Sequence, residues 1–182
     1  MTMDDFDLCF MKMALREAVR AEEEGETPLG CVVVEPAVLE PAHDGHPAIY
    51  DPDPSLARIL GRGHNQTEVL TDATAHAEML AMSAAFQAKA SWRLTGARLY
   101  VTKEPCPMCA GAIVLARIDA VVWGVGDSKR GGGTVFHIFD HPGINHHPTI
   151  VEGVYENESR SLIQGFFRRR RIDNSAIKDE AL

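Results

Sequence analysis

Apolar residues at Phe6, Phe10, Met13, Ala14, Ala18 and Ala21 recur at steps of three to four, the stripe of an amphipathic helix ending near Gly25. Leu29–Val34 is short, apolar and β-branched, and predicts a buried strand. Residues 35–58 break the pattern with Pro36, Pro41, Pro47, Pro52, Pro54 and Gly45, which predicts a solvated loop or a small extra hairpin inserted between two paired strands. Ile59–Gly63 supplies the returning strand. Thr74 is a candidate N-cap for a helix over Ala75–Ala88, with His76 and Glu78 in its first turn. A strand over Ala97–Thr102, a helix over Met108–Arg117 and an apolar strand over Ala120–Val125 follow. Gly131, Gly132 and Gly133 mark a turn, Thr149–Gly153 a shorter strand, and Glu156–Arg171 a closing helix bearing Leu162, Ile163, Phe166 and Phe167. Strands alternating with helices predict an α/β domain whose sheet is covered on both faces.

The length of 182 residues suits one domain spanning 1–182, and 45% apolar residues place it among globular chains. No apolar run approaches the roughly 18 to 20 residues that span a bilayer. Asp4, Asp5 and Asp7 stand where a secretory leader carries basic residues, so a cytoplasmic location is expected. With 18 Lys and Arg against 26 Asp and Glu, the net charge of −8 argues against indiscriminate binding to polyanions. Arg168, Arg169, Arg170 and Arg171 nevertheless form a basic run, a candidate phosphate grip on an otherwise acidic protein.

Of the four cysteines, Cys9 and Cys31 fall on apolar faces and read as buried residues, whereas Cys106 and Cys109 form a Cys-x-x-Cys pair. Alone, that pair is equally a redox couple or half of a structural zinc site, and His76-Ala77-Glu78 alone says little. Together they offer one imidazole and two thiols at two predicted helix starts. Cys106 and Cys109, three apart, share a helix face and can reach one ion. His76 and Glu78 are separated by about 200° around a helix axis, so the imidazole is the better ligand and the carboxylate a neighbour of an open fourth position. Three protein ligands with one open position is the catalytic zinc pattern. Glu78 would then act as base and afterwards as acid.

His76-x-Glu78 with Pro105-Cys106-x-x-Cys109 is the signature of zinc-dependent base deaminases. The chain resembles the cytidine deaminase-like superfamily and, within it, the bacterial tRNA-specific adenosine deaminases that make inosine at the anticodon wobble position. The resemblance covers nearly the whole chain. It is carried by Thr27-Pro28-Leu29-Gly30, Asn65, Thr74 to Glu78, Leu99 to Thr102, Glu104 to Gly111, His141 to His146 and Phe166-Phe167-Arg168. It implies a three-layer α/β/α cytidine deaminase-like fold with a mixed central sheet of about five strands. It also implies one Zn²⁺ on His76, Cys106 and Cys109, proton transfer by Glu78, and a homodimer acting on a tRNA anticodon stem-loop. Asn65 and the Ala77 backbone would touch the substrate and Leu29 would wall its pocket. Asp127, with Lys129 close by, matches an RNA-contacting loop, and Phe167 and Arg168 belong to a terminal helix beside the flipped nucleotide.

Three departures stand out: Ala73 where the family has Pro, Lys103 where it has an apolar residue, and the long 35–58 segment. Of Phe166 and Phe167, one is expected inward and one on the substrate side. His141, His146 and His147 are expected to shape a loop rather than hold a second metal. Deamination of free nucleobases or nucleosides, of guanine or cytosine type, is the alternative activity. A non-catalytic, zinc-stabilised RNA-binding module is the alternative of another class.

Overall fold

The computed structural model describes residues 5–40 and 48–180, with side chains through Ile172. Residues 41–47 of the insertion and Asp4 lie outside the described residues. In chain order the elements are α1 (Asp5–Glu23), β1 (Gly30–Glu35), β2 (Val38–Glu40), β3 (Ile49–Tyr50), β4 (Arg58–His64), α2 (Ala77–Lys89), β5 (Arg98–Lys103), α3 (Pro107–Ala116), β6 (Ala120–Val125), β7 (Thr149–Glu152) and α4 (Glu156–Glu180).

The central sheet runs β4-β1-β5-β6-β7. β1 is antiparallel to both β4 and β5, while β5, β6 and β7 are parallel, so the sheet is mixed. Alternate residues of each strand feed two cores, as a period of two requires. Cys31, Val33, Leu99, Val101, Val121 and Trp123 face Ala77, Ala81, Met82 and Ile113 of α2 and α3. Val32, Val34, Tyr100 and Val122 face Phe6, Phe10, Met11 and Ala14 of α1, and α4 packs beside α1. The result is the expected three-layer α/β/α arrangement, and its doubly buried strands explain why Gly30–Val34 and Val121–Val125 read as continuous apolar runs.

α2 lies directly on β4. A Cβ at Gly63 would come 2.6 Å from the Ala77 carbonyl, so only glycine lets the strand approach the start of that helix.

Three boundaries differ from expectation. Thr74 does not cap α2: its N–H and hydroxyl both donate to Asp72 Oδ1, at 2.8 Å each, and His76 is the N-cap. The Asp72–Thr74 turn outcompetes the cap because it is local. The 35–58 segment begins and ends inside strands, since Glu35 and Arg58 belong to β1 and β4, while β2 and β3 between them pair as the small extra hairpin expected there. The closing helix continues past Arg171 to Glu180, where no Gly or Pro stops it.

Candidate metal centre and active site

The side chains that could hold a metal ion come from two successive helix starts on the same face of the sheet. His76 and Cys106 are the N-cap residues of α2 and α3, both with extended backbone, and Pro107 opens α3 with its φ already fixed. The His76 ring makes no capping bond to its own helix, and the Cys106 sulfur meets Cys109 in the first turn of α3. Both turn toward a common point. Cys106 Sγ lies 3.7 Å from Cys109 Sγ, and His76 Nδ1 lies 3.6 Å from Cys106 Sγ and 3.5 Å from Cys109 Sγ.

With zinc–sulfur and zinc–nitrogen bonds of about 2.3 and 2.1 Å, tetrahedral ligands stand about 3.8 Å apart for two sulfurs and about 3.6 Å for sulfur and nitrogen. The triangle of ligand atoms therefore has the edges of a tetrahedral zinc site. Among the described residues, His76, Cys106 and Cys109 are the group of this kind whose ligand atoms all lie within 4.8 Å of one another.

Proximity couples the protons of the cluster. Cys106 is driven down to about 3, first by its bond with Cys109 and, against the effect of burial, by His76. Cys109 is pushed up by the same sulfur contact, by burial and by Glu78, and His76 is raised chiefly by its bond to Cys106. Glu78, in the first turn of α2, is 5% exposed, and burial raises its carboxyl above the usual range.

The α1–β1 and β4–α2 connections are bonded to each other and to the start of α2. The Asn65 N–H donates to the Leu29 carbonyl at 3.0 Å, and the Gln66 N–H to the Ala75 carbonyl at 3.0 Å, immediately before His76. Asn65 is buried, and its Nδ2 donates to Glu26 Oε2 at 3.0 Å and Thr67 Oγ1 at 3.1 Å. Leu29 and Ala77 pack in the same core cluster, Leu29 only partly buried.

A third segment follows β6. Glu104 is buried and accepts from the N–H groups of Asp127 (2.8 Å), Gly133 (3.1 Å) and Thr134 (2.8 Å) and from the Thr134 hydroxyl (3.0 Å). The Gly132 N–H donates to the Pro105 carbonyl at 2.8 Å, which fixes this loop against the start of α3. Asp127 accepts from the N–H groups of Lys129 and Arg130 and pairs with Lys103. Glu26 and Glu104 gather loops on either side of the cluster, and neither is marked as such by its sequence neighbours. Their partners are mostly backbone N–H groups of distant segments, which leave no residue signature.

On α4, Phe166 is buried and Phe167 is 43% exposed. Phe167, Arg168 and Arg171 line one surface groove. Arg169 instead pairs with Glu22 of α1, and Arg170 covers the Phe166 ring. The His141 ring accepts from the Gly143 N–H, and His146 and His147 bond the carbonyls of Ile118 and Phe139, so all three serve the loop backbone. Cys31 is in the core and Cys9 is half-buried. Among the described residues no helix is long and apolar enough to cross a membrane.

The family model for the cytidine and deoxycytidylate deaminase zinc-binding region matches residues 4–125. The tRNA-specific adenosine deaminase of Bacillus subtilis is 40% identical over 98% of this chain and 97% of its own. That of Agrobacterium fabrum is 39% identical over 91% of this chain and 96% of its own. Among solved structures, a tRNA:A34 deaminase studied for A-to-I editing at the wobble position superposes with a TM-score of 0.69 at 37% identity, covering 85% of this chain and 98% of that one. A guanine deaminase from Nitrosomonas europaea, 18% identical, shares the fold with a TM-score of 0.66 over 87% of this chain and 83% of that one. By sequence and by fold, the chain belongs to the tRNA-specific adenosine deaminases of the zinc-binding cytidine and deoxycytidylate deaminase family.

Proposed function

We propose that this chain, one domain over 1–182, is a cytoplasmic zinc-dependent hydrolase that converts adenosine to inosine at the wobble position of a tRNA anticodon loop. The observation that carries the reading is the triangle of His76, Cys106 and Cys109 with the buried Glu78 in the first turn of α2. His76 Nδ1 and the two sulfurs would hold the ion, which supplies Lewis-acid activation of water when bound.

The chain's own residues then account for binding and proton transfer. Water adds at C6 of the purine, and Glu78 takes the proton released and delivers it to the ring nitrogen. Glu78 then takes the proton of the new C6 hydroxyl and passes it to the amine, so that the C6–N6 bond breaks as C6=O forms and ammonia departs, leaving inosine. Asn65 and the Ala77 backbone orient the nucleoside against Leu29. Asp127, Phe167 and Arg168 face the RNA around it. An unpaired anticodon nucleotide suits such a site because extrusion from a loop costs less than from a duplex.

A homodimer belongs to the same reading. α3 carries no charged residue, yet Leu115 and Met108 on it are exposed, 73% and 36%. A helix apolar on all sides is ordinarily covered, and a second copy would cover this one.

The deciding experiment is a side-by-side assay of the zinc-loaded protein on an anticodon stem-loop with adenosine at the wobble position and on guanine, cytosine and their nucleosides. Inosine in the stem-loop is the expected product. Turnover of free guanine with none on the RNA replaces this reading with that of a free-base deaminase.

A further inference from the structure

The connection between α1 and β1 carries a carboxylate that the reaction does not use. Glu26 is 1% exposed, and each of its four bonded partners is a neutral donor. Oε1 accepts from the N–H groups of Glu68 (2.6 Å) and Val69 (2.9 Å), and Oε2 from Asn65 Nδ2 (3.0 Å) and the Thr67 hydroxyl (3.2 Å). Burial raises the Glu26 pKa, but these bonds outweigh it and the carboxyl stays below its usual range.

The backbone of Glu26 is fixed as firmly as its side chain. The Glu26 N–H bonds the Ala21 carbonyl at 2.8 Å and the Gly25 N–H the Glu22 carbonyl at 3.0 Å, with Gly25 at φ +78°. This is a Schellman motif, which ends α1 and aims the residue after the glycine. On the other side, the Leu70 N–H bonds the Gln66 carbonyl at 3.0 Å, so Glu68 and Val69 lie in a single helical turn that follows Asn65.

Removing a carboxylate from water without a counter-charge is costly, and a neutral side chain would close the same gap more cheaply. What a carboxylate adds is that it accepts and never donates. The end of the Asn65 amide that faces it must be the NH₂, and the amide is thereby held in one of its two orientations. The Thr67 hydroxyl completes a triangle, accepting from Asn65 Nδ2 and donating to Glu26 Oε2.

We propose that Glu26 is a positioning residue for Asn65, holding its amide in the orientation that the nucleoside meets. The proposal rests on the reading of Asn65 as a substrate contact. It gives the acidic residue before Thr27-Pro28 a role in binding geometry as well as in closing a loop.

A double-mutant cycle of Glu26→Gln and Asn65→Ala tests it, with zinc content and thermal midpoint recorded for each variant. Gln has the same shape but lets the Asn65 amide adopt either orientation. The E26Q variant should keep its zinc and lose about tenfold or more in kcat/KM, and the double variant should be within about twofold of N65A alone. Losses that multiply would show that Glu26 acts independently of Asn65 and overturn the proposal. So would wild-type kcat/KM in either single variant. Should E26Q fail to retain zinc, Thr67→Val removes another corner of the triangle without touching the turn's N–H donors. Its cycle with N65A must again be non-additive. The cycle is run on whichever substrate the wild type turns over, so failure of the tRNA assignment and failure of the positioning role are read separately.

Discussion

The Lys103 ammonium lies 2.6 Å from a carboxylate oxygen of Asp127, tying the end of β5 to the loop after β6 three residues before the first metal-ligating cysteine. Burial works to raise the Asp127 pKa, but Lys103 and the N–H groups of Lys129 and Arg130 hold it at about 2. The departure at position 103 is thus not a loose surface charge. It neutralises a carboxylate on the face proposed to meet the RNA. Lys103→Met keeps the side-chain length and deletes the charge, so the Asp127 carboxyl should move up toward the ordinary value of about 3.9, read by carbon NMR titration. Because the folded pKa lies below the unfolded one, the pair's stabilisation is fully present above about pH 4 and is lost as pH falls through the folded value. Urea midpoints of wild type and variant should differ fully above about pH 4 and converge as pH falls to about 2. An unshifted Asp127 titration would mean that the pair does not persist in solution.

Glu78 sits beside the ligands without being one of them, and that separates its chemistry from metal retention. Glu78→Ala should leave one zinc per chain and reduce turnover by at least about a thousandfold, within the range for losing a proton-transfer group that acts in more than one step. Zinc analysis and single-turnover assays on one preparation check both halves. Turnover near the wild-type rate would remove the proton-transfer role.

Cys109 is fully buried in the core that α3 shares with α2, so zinc on its sulfur would join the two helices. Ligand binding stabilises by about 2.7 kcal/mol at a hundredfold excess of free ligand over Kd, which for a chain of this size is about 5 to 10 °C in thermal midpoint. Chelation should lower the midpoint on that scale and added zinc should restore it. Cys109→Ser should abolish the response to zinc, and a variant that still responds in full would assign the metal elsewhere.

The candidate metal centre was legible because its residues are chemically rare and because the Cys-x-x-Cys spacing puts both sulfurs on one helix face. The layers were legible because Gly30–Val34 of β1 and Val121–Val125 of β6 are buried on both faces and carry no polar side chain. The cap of α2 was not, since Thr74 has good cap chemistry but finds Asp72 two residues away, and the helix then begins at the metal-ligating histidine. Nor were the roles of Glu26 and Glu104, whose partners are backbone groups some 20 to 40 positions distant along the chain.

The described part of the insertion lies at the end of β1 away from the cluster. β1 is six residues long, starting at Gly30, whose N–H meets the Thr102 hydroxyl, and ending at Glu35. A strand of that length spans about 17 to 20 Å. The hairpin is tied down by Tyr50, whose hydroxyl donates to Asp119 at 3.1 Å. Glu35 and Arg58 are register partners, so Asn-Gly in place of residues 36–57 closes β1 and β4 with a two-residue turn. The shortened chain should hold zinc and turn over within about twofold of wild type, an interval that corresponds to under 1 kcal/mol. A folded, zinc-loaded deletion without activity would place the hairpin in contact with the substrate.

The four arginines of α4 look alike in sequence, but the helix divides them. Arg169 is paired with Glu22 and Arg170 lies over the Phe166 ring, while Arg168 and Arg171, three apart and so on one face, line a groove with the exposed Phe167. The phosphate grip therefore reduces to two guanidiniums. Each phosphate contact on single-stranded nucleic acid contributes about 0.7 to the slope of log K against log salt. Replacing Arg168 and Arg171 together with Ala should weaken stem-loop binding and flatten that slope by about 1.4, with no change in zinc content. Arg169→Ala should leave the slope alone and cost at most about 1 kcal/mol of stability, because a surface pair contributes little. Binding titrations at four or five salt concentrations distinguish the two. Equal slopes for the wild type and the Arg168/Arg171 double variant would mean that the RNA passes elsewhere, whereas a slope change in the Arg169 variant would mean that the Glu22 pair opens when RNA binds.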